Sequence, residues 1–176
     1  MKLRAESVEE EVGQTDCFEF IPPGACIGVA ATDTFVQGFD TMPRLVSPQT
    51  TAEAAVVYIP ILLPLAREGA SRGMKINSLK VHYDLDVEGT AADLGLYKAT
   101  LAADGTIATV ASEITTSCDH TDAELYEANE HTVELTVSTP AFVGDDEMYF
   151  ALLSITKKTT TDFSFYGAWA YFTRAL

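Results

Sequence analysis

The sequence predicts an all-β protein, a β-sandwich or jelly-roll with an extended N-terminal arm. Apolar and polar residues alternate strictly in several segments after residue 52, and turn residues separate those segments. No long stretch of the chain has the periodicity of a helix. Short strands at regular spacing without long helices are typical of sandwiches and barrels. We therefore divide the chain into an arm at residues 1–51 and a sandwich domain at residues 52–176.

The strongest strand signal lies at residues 79–88. Five apolar residues there alternate with charged or polar ones, which is the period of a half-buried strand. Similar alternation predicts strands at residues 55–61 and 133–137. The segment 148–155 is apolar on both faces, so we expect a central strand.

The connections are marked by turn residues and by one polar segment. Asp104-Gly105 predicts a hairpin turn between strands ending near residue 101 and beginning near residue 107, because both residues tolerate positive φ. Residues 118–130 are polar and acidic. We expect a short helix within that loop, at residues 121–129.

The final predicted strand is rich in aromatic residues. Alternation predicts one face formed by Phe163, Phe165, Gly167, Trp169 and Tyr171. An aromatic stripe in so apolar a strand indicates core or a subunit interface. The alternative is a platform on which a sugar stacks.

The arm has poor periodicity and many Gly and Pro residues, so only one or two short strands are expected there, such as residues 26–31. Its aromatic residues are too apolar for a free linker. They form our candidate interface: Phe18, Phe20, Phe35 and Phe39. Deleting residues 1–50 is expected to leave a β-rich domain that no longer attaches or that oligomerises weakly.

The charge of the chain restricts its partners. Lys and Arg number 11 and Asp and Glu 26, which gives a formal net charge of −15. Such a charge repels phosphate backbones and anionic membranes, so neither nucleic acid nor membrane is an expected partner. The N-terminus lacks an apolar signal segment, so synthesis in the cytoplasm without secretion is expected. The odd cysteine count favours reduced thiols, with a Cys17–Cys26 bridge as the alternative.

One motif resembles a catalytic one. Residues 69–73 match G-x-S-x-G, in which a serine such as Ser71 sits on a strand-to-helix turn. The segment that follows is predicted to be a strand, so we expect a connecting loop and no enzyme. A small serine hydrolase using Ser71 is our third functional hypothesis.

No cofactor or metal is expected. Asp84, Asp86 and Glu88 on one predicted strand face, and the acidic turn at residues 145–147, could approach Ca²⁺ but lack the spacing of a calcium loop. The histidines have no companions with zinc-ligand spacing. A solvated strand face and a polar turn explain these carboxylates.

Two segments resemble a known group of proteins. The stretch "GMKINSLKVHYDLDVEGTAADLGLYKATL" opens with I-x-S-L-x-V-x-Y, and the chain closes with Y-x-A-x-A-Y in "HTVELTVSTPAFVGDDEMYFALLSITKKTTTDFSFYGAWAYFTRAL". Over residues 52–176 the chain resembles small β-sandwich virion proteins of tailed bacteriophages, such as capsid decoration, head-fibre and tail-fibre proteins. The resemblance implies a trimer, an attaching N-terminal arm and no cofactor.

Two functional hypotheses rank ahead of the serine hydrolase. The first is a non-enzymatic virion structural protein, a decoration or fibre component located in the virion, which forms a homotrimer and docks through its arm on a partner such as a major capsid protein. The second is a carbohydrate- or receptor-binding β-sandwich module. Exposed aromatic residues in the last strand would favour the second hypothesis, and buried ones the first.

Overall fold

The strands of this protein form two packed antiparallel sheets. The computed structural model describes residues 14–30, 35–38, 42–47, 52–61, 74–100, 111–143 and 147–175. Within them the strands are β1 Gln14–Ile21, β2 Ile27–Ala30, β3 Val36–Gly38, β4 Arg44–Ser47, β5 Ala54–Ile61, β6 Met74–Leu85, β7 Ala91–Thr100, β8 Ser112–Glu113, β9 Thr116–Cys118, β10 Glu130–Val137, β11 Glu147–Thr156 and β12 Phe163–Ala175. Two short 3₁₀ helices occupy Pro23–Ala25 and Glu124–Tyr126.

The topology places β12 at the centre of the larger sheet. That seven-stranded sheet has the order β3-β4-β12-β6-β10-β9, and β1 also pairs with β12. The start of β12 pairs with β4 and the rest of the strand with β1, while β6 follows its other side. The five-stranded sheet has the order β2-β5-β11-β7-β8. The predicted β-sandwich is confirmed.

The core consists of the inward side chains of both sheets. Alternation works as predicted in β5, in β10 and from Leu79 to Leu85 of β6, where every second residue is buried. β11 pairs with β5 on one side and β7 on the other, so its prediction as a central strand is confirmed. The largest fully buried hydrophobic side chains are Tyr83, Phe163, Phe165, Phe172, Ile59, Leu79, Leu85, Leu96, Leu135, Leu153 and Ile155.

The acidic loop at residues 118–130 is fixed to one end of the sandwich. Its short helix is a single 3₁₀ turn, Glu124–Tyr126, where we expected a longer helix. The Glu124 carboxylate accepts hydrogen bonds from the backbone N–H and the hydroxyl of Thr121. The buried Tyr83 hydroxyl donates to the Leu125 carbonyl at 2.6 Å. The loop therefore closes the sandwich end.

The described part of the N-terminal segment belongs to both sheets. β1 pairs with β12 over eight residues, β2 pairs with β5, and β4 pairs with β12. Ile21, Cys26 and Leu45 lie in the hydrophobic core. The segment thus contributes four strands, where the sequence predicted one or two. These strands lie at or near sheet edges, where backbone pairing needs little side-chain alternation.

A β-bulge in β12 overturns the predicted single aromatic face. The register with β6 shifts between Phe165 and Gly167, and Gly167 has a φ of 127°. A bulge adds one residue to a strand, so alternation reverses after it. Phe163 and Phe165 are therefore fully buried, whereas Trp169 and Tyr171 lie on the outer face.

Gly167→Ala tests the bulge. A Cβ at this position would lie 2.8 Å from the Ile21 carbonyl oxygen, and its positive φ disfavours an L side chain. We expect a loss of about 1–3 kcal/mol of unfolding free energy, measured by denaturant titration. Gly24→Ala is the matched control, since the nearest atom to its Cβ is 3.8 Å away. Equal stability of the two variants would contradict the bulge geometry.

Deletion of residues 1–51 tests the role of the N-terminal strands. The removal exposes the backbone of β12 along β1 and takes Ile21, Cys26 and Leu45 out of the core. We now expect the truncated chain to lose cooperative unfolding, which circular dichroism during thermal denaturation measures. Deletion of residues 1–13 is the control, since it keeps every described strand, and its melting should remain cooperative. A cooperatively folding 52–176 fragment would support the domain division expected from the sequence.

Candidate functional site

An aromatic cluster covers the outer face of the seven-stranded sheet. We call it the aromatic shelf and define it by Phe18, Phe20, Tyr166, Trp169, Tyr171 and His82. Phe18 and Phe20 are 68% and 45% exposed, and the other four side chains are half-buried. Alternation along β1 turns both phenylalanines outward, while Ile21 points to the core. The shelf is therefore a solvent-facing surface.

Strand register brings the rings together. Phe20 pairs with Trp169 and Phe18 with Tyr171 across the β1–β12 ladder. Their ring centroids are 4.9 Å and 6.2 Å apart, respectively. His82 of β6 contacts Tyr166 edge-on at 5.4 Å and lies 6.5 Å from Trp169. The shelf therefore spans three adjacent strands, in a nearly continuous aromatic surface.

Charged pairs border the shelf on the β6–β10 side. Lys80 Nζ lies 3.2 Å from the Glu134 carboxylate and 5.5 Å from the ring centroid of Tyr171. His82 Nε2 lies 2.7 Å from a Glu130 carboxylate oxygen. The register continues one row from Phe20 through Trp169 and Lys80 to Glu134. The rings thus stand beside donors and acceptors that are held in place.

A second polar group borders the other end of the shelf. The Asn77 side-chain amide donates to the Thr173 hydroxyl at 2.7 Å, and that hydroxyl donates to Asp16 at 3.0 Å. These three residues come from β6, β12 and β1, the same strands that carry the aromatic rings. Hydrogen-bonding groups therefore border the aromatic surface on its β6–β10 side and at one end of its strands.

The ionisable groups near the shelf have defined partners. The Glu134 carboxylate raises the pKa of Lys80 through a hydrogen bond and its charge. Burial tends to raise the pKa of Asp119, but hydrogen bonds from His120 and the Glu134 backbone N–H lower it overall. Both shifts stabilise the charged forms. Lys80 and Asp119 are thus held as ions in local pairs.

The carboxylates considered for Ca²⁺ serve structural contacts. Asp86 accepts a hydrogen bond from the Asp162 backbone N–H at 2.6 Å, and Glu88 lies 3.1 Å from Lys158 Nζ. Both follow the end of β6 at Leu85, so the predicted common strand face with Asp84 is wrong. In the described parts of the chain, no three His, Cys, Asp or Glu side chains are grouped as metal ligands.

The other candidates divide between described and undescribed residues. Phe35 is half-buried and packs edge-on against Phe163 at 6.1 Å, which places it beside the core. Phe39, Ser71 and the predicted Asp104-Gly105 turn lie outside the described residues. Among the helices that the structure describes, none has the length and apolar character needed to cross a bilayer.

The shelf combines residues that the sequence had separated. The sequence places Phe18 and Phe20 in a candidate interface on the arm, and Trp169 and Tyr171 in a stripe predicted to be core or a subunit interface. The antiparallel β1–β12 ladder joins them. Phe18 and Phe20 alternate with Glu19, and this alternation indicates a strand with an aromatic outer face. The pattern was hard to recognise because Glu19, on the inner face, is a charged residue type.

The chain has distant structural likeness to several known proteins. No protein-family model matches the chain, and no curated protein does. Among solved structures, the CBM22-1–GH10 modules of a Clostridium thermocellum endo-1,4-β-D-xylanase complexed with xylohexaose align at 12% identity and a TM-score of 0.49, over 89% of this chain and 27% of that one.

Two viral structures are also similar. A chain of infectious bursal disease virus aligns at 10% identity and a TM-score of 0.37, over 90% of this chain and 32% of that one. The enzymatically active domain of bacteriophage CBA120 tailspike protein 4 aligns at 10% identity and a TM-score of 0.37, over 89% and 19%. This chain spans less than a third of each of these matched chains. At such TM-scores the matches carry no argument about function.

Cysteine labelling tests the local environments of the thiols. All three cysteines are free, so the alternative Cys17–Cys26 bridge is absent. Burial raises the pKa of Cys26 to about 12, whereas Cys118 is exposed and its pKa is raised less, mainly by partial burial. Because the thiolate is the reactive form, a thiol reagent should label native Cys118 at least roughly 100-fold faster than Cys26.

Mass spectrometry of labelled peptides measures the two rates. Cys118→Ser should remove the fast phase, and unfolding in denaturant should make Cys26 react at the rate of an ordinary thiol. Equal labelling of Cys26 and Cys118 in the native protein would show that Cys26 is not buried.

Proposed function

We propose that this protein is a non-enzymatic β-sandwich module that binds a neutral saccharide on the aromatic shelf. The observation that carries the proposal is the solvent-facing position of Phe18, Phe20, Trp169 and Tyr171 beside fixed polar groups. Large rings are normally used to fill a core. Rings placed outside it, in contact with one another across three strands, form a surface suited to a ligand.

The chemistry of the shelf fits a sugar ring. The face of an aromatic ring carries partial negative charge and attracts the weakly positive C–H groups on one face of a pyranose. The hydroxyls at the sugar's rim need donors and acceptors, which Lys80, Glu134 and the His82–Glu130 pair provide. Apolar contact area with a few placed polar groups is the usual composition of a ligand site.

The charges favour a neutral saccharide over an acidic one. The chain carries −15 overall, and Glu130, Glu134 and Asp16 border the shelf. Lys80, which borders the shelf, is already paired with Glu134. An anionic sugar would thus meet more repulsion than attraction.

Electrophoresis in gels that contain soluble polysaccharides tests the proposal. Xylan, mixed-linkage β-glucan and galactomannan are the neutral probes, and polygalacturonate is the anionic one. At least one neutral polysaccharide should retard the protein, and polygalacturonate should not. Trp169→Ala and Phe20→Ala should each abolish most of the retardation, because each removes a ring in the 4.9 Å contact.

Matched controls separate binding from folding. Phe142→Ala removes an exposed ring, 48% exposed, that does not belong to the shelf, and this variant should bind as the wild type does. Trp169 is the chain's single tryptophan, so its emission should shift when saccharide covers the shelf. If no neutral polysaccharide retards the wild-type protein, or if Trp169→Ala is retarded as strongly as the wild type, saccharide binding on the shelf is refuted.

A virion structural protein is the second candidate. Phe18 and Phe20, members of the interface set that the sequence predicts, are exposed on β1 and would be available to a capsid or fibre partner. The charge of −15 suits a protein displayed in many copies, because it opposes aggregation. Attachment to particles that survives Trp169→Ala but not Phe18→Ala would favour this function.

A further inference from the structure

The outer face of the five-stranded sheet is apolar. We call it the apolar face and define it by the large apolar side chains that point outward from β2, β5, β7 and β11. They are Ile27, Val29, Val56, Tyr58, Pro60, Tyr97, Met148, Phe150 and Leu152. Alternate residues of these strands fill the core, so this set points away from it. Ile27 is 64% exposed and Met148 49%. A group of exposed apolar side chains of this kind marks an interaction site.

Side-chain packing makes this face flat. The rings of Tyr97 and Phe150 stack with centroids 5.6 Å apart and planes 16° from parallel. A Cβ on Gly95 would lie 2.8 Å from the Tyr97 ring, which shows that the ring lies down against the sheet over this glycine. Flat side chains allow a second sheet to approach to the usual separation of about 10 Å.

The distribution of charge distinguishes this face from the shelf. None of the residues that define the apolar face is charged. Glu113 pairs with Tyr97 at the β7–β8 border, whereas the exposed Asp93 lies opposite Ser154 of β11, at one end of the face. Both carboxylates raise the pKa of Tyr97, after the larger effect of burial. The shelf instead has Lys80, Glu134 and the His82–Glu130 pair among its rings. Two copies, each at −15, can thus meet on the apolar face without opposing carboxylates at its centre.

We propose that a second copy of this chain covers the apolar face, through a two-fold, sheet-on-sheet contact. Four strands of about eight residues present roughly 500 Å² of flat sheet, before side-chain relief adds accessible area. A stable interface buries about 800 Å² on each partner, so the face is of the right size. An apolar surface without charges is complementary to itself, which a two-fold contact requires. A trimer, expected from the resemblance, would need two different patches on each copy.

Light scattering after size exclusion, with sedimentation velocity, measures the assembly. The wild type should have twice the 19.0 kDa mass of the chain. Its dissociation constant should fall as salt rises, because salt screens repulsion between like-charged copies and leaves apolar contact intact. A wild-type monomer at all concentrations, or a trimer, would overturn the proposal.

Charge substitutions locate the contact. The double variant Ile27→Glu and Met148→Glu should raise the dissociation constant by roughly 100-fold or more, since it would bury unpaired carboxylates. The double variant Phe18→Glu and Phe20→Glu places the same two charges on the shelf, at residues 68% and 45% exposed, and should remain a dimer. Equal effects of the two changes on assembly would overturn the assignment of this face, provided that both variants keep the wild-type melting temperature.

Methionine oxidation tests the contact without mutation. Met42 and Met148 are 51% and 49% exposed in the single chain, so they should react equally with peroxide if nothing covers either. In the proposed dimer Met148 should oxidise at least several-fold more slowly than Met42, as quantified by peptide mass spectrometry. Equal rates in the wild type would overturn the proposal, even where the double variant fails to fold.

Discussion

The β-bulge in β12 is the constraint on which the rest of the structure depends. β12 is the strand that joins β6 to both β4 and β1, so its alternation decides which side chains enter the core. Before the bulge it buries Phe163 and Phe165; after the bulge it buries Ala168, Ala170 and Phe172. Gly167 permits this change because its φ of 127° is open to glycine and its missing side chain admits the Ile21 carbonyl. Without the bulge, regular alternation would place Trp169 and Tyr171 on the same face as Phe163 and Phe165.

The small inward residues after the bulge allow the shelf and the core to coexist. Ala168 and Ala170 leave room beneath β12 for the opposite sheet, while Trp169 and Tyr171 point outward between them. β1 then adds Phe18 and Phe20 to the same outer face, and its Ile21 completes the core beside Ala168. One edge strand thus seals the core and widens the shelf.

The two outer faces of the sandwich have different chemistry. The shelf mixes rings with ion pairs and hydrogen-bonded polar groups, which suits a ligand that has both apolar and hydroxyl surfaces. The face formed by β2, β5, β11 and β7 is apolar and free of charge at its centre, which suits a copy of itself. Because the faces lie on opposite sheets, dimerisation would leave both shelves exposed. The two shelves of such a dimer would then face in opposite directions, and each would bind a separate polysaccharide chain.

The sequence by itself determined the fold class and the main strands of the described residues. Alternation is a property of each strand alone, since one face is wet and the other dry, so β5, β6 and β10 were predictable, and β11 was predictable as an apolar run. Of the N-terminal strands, only β2 lies where a strand was predicted, at residues 26–31. β1 and β4 depend on backbone pairing with β12, a strand far away in sequence, and β3 pairs with β4. The shelf could not be predicted from the sequence either. The reversal of alternation at Gly167 and the β1–β12 register exist only once the strands are paired. Tertiary structure alone decided which aromatic residues are buried and which face solvent.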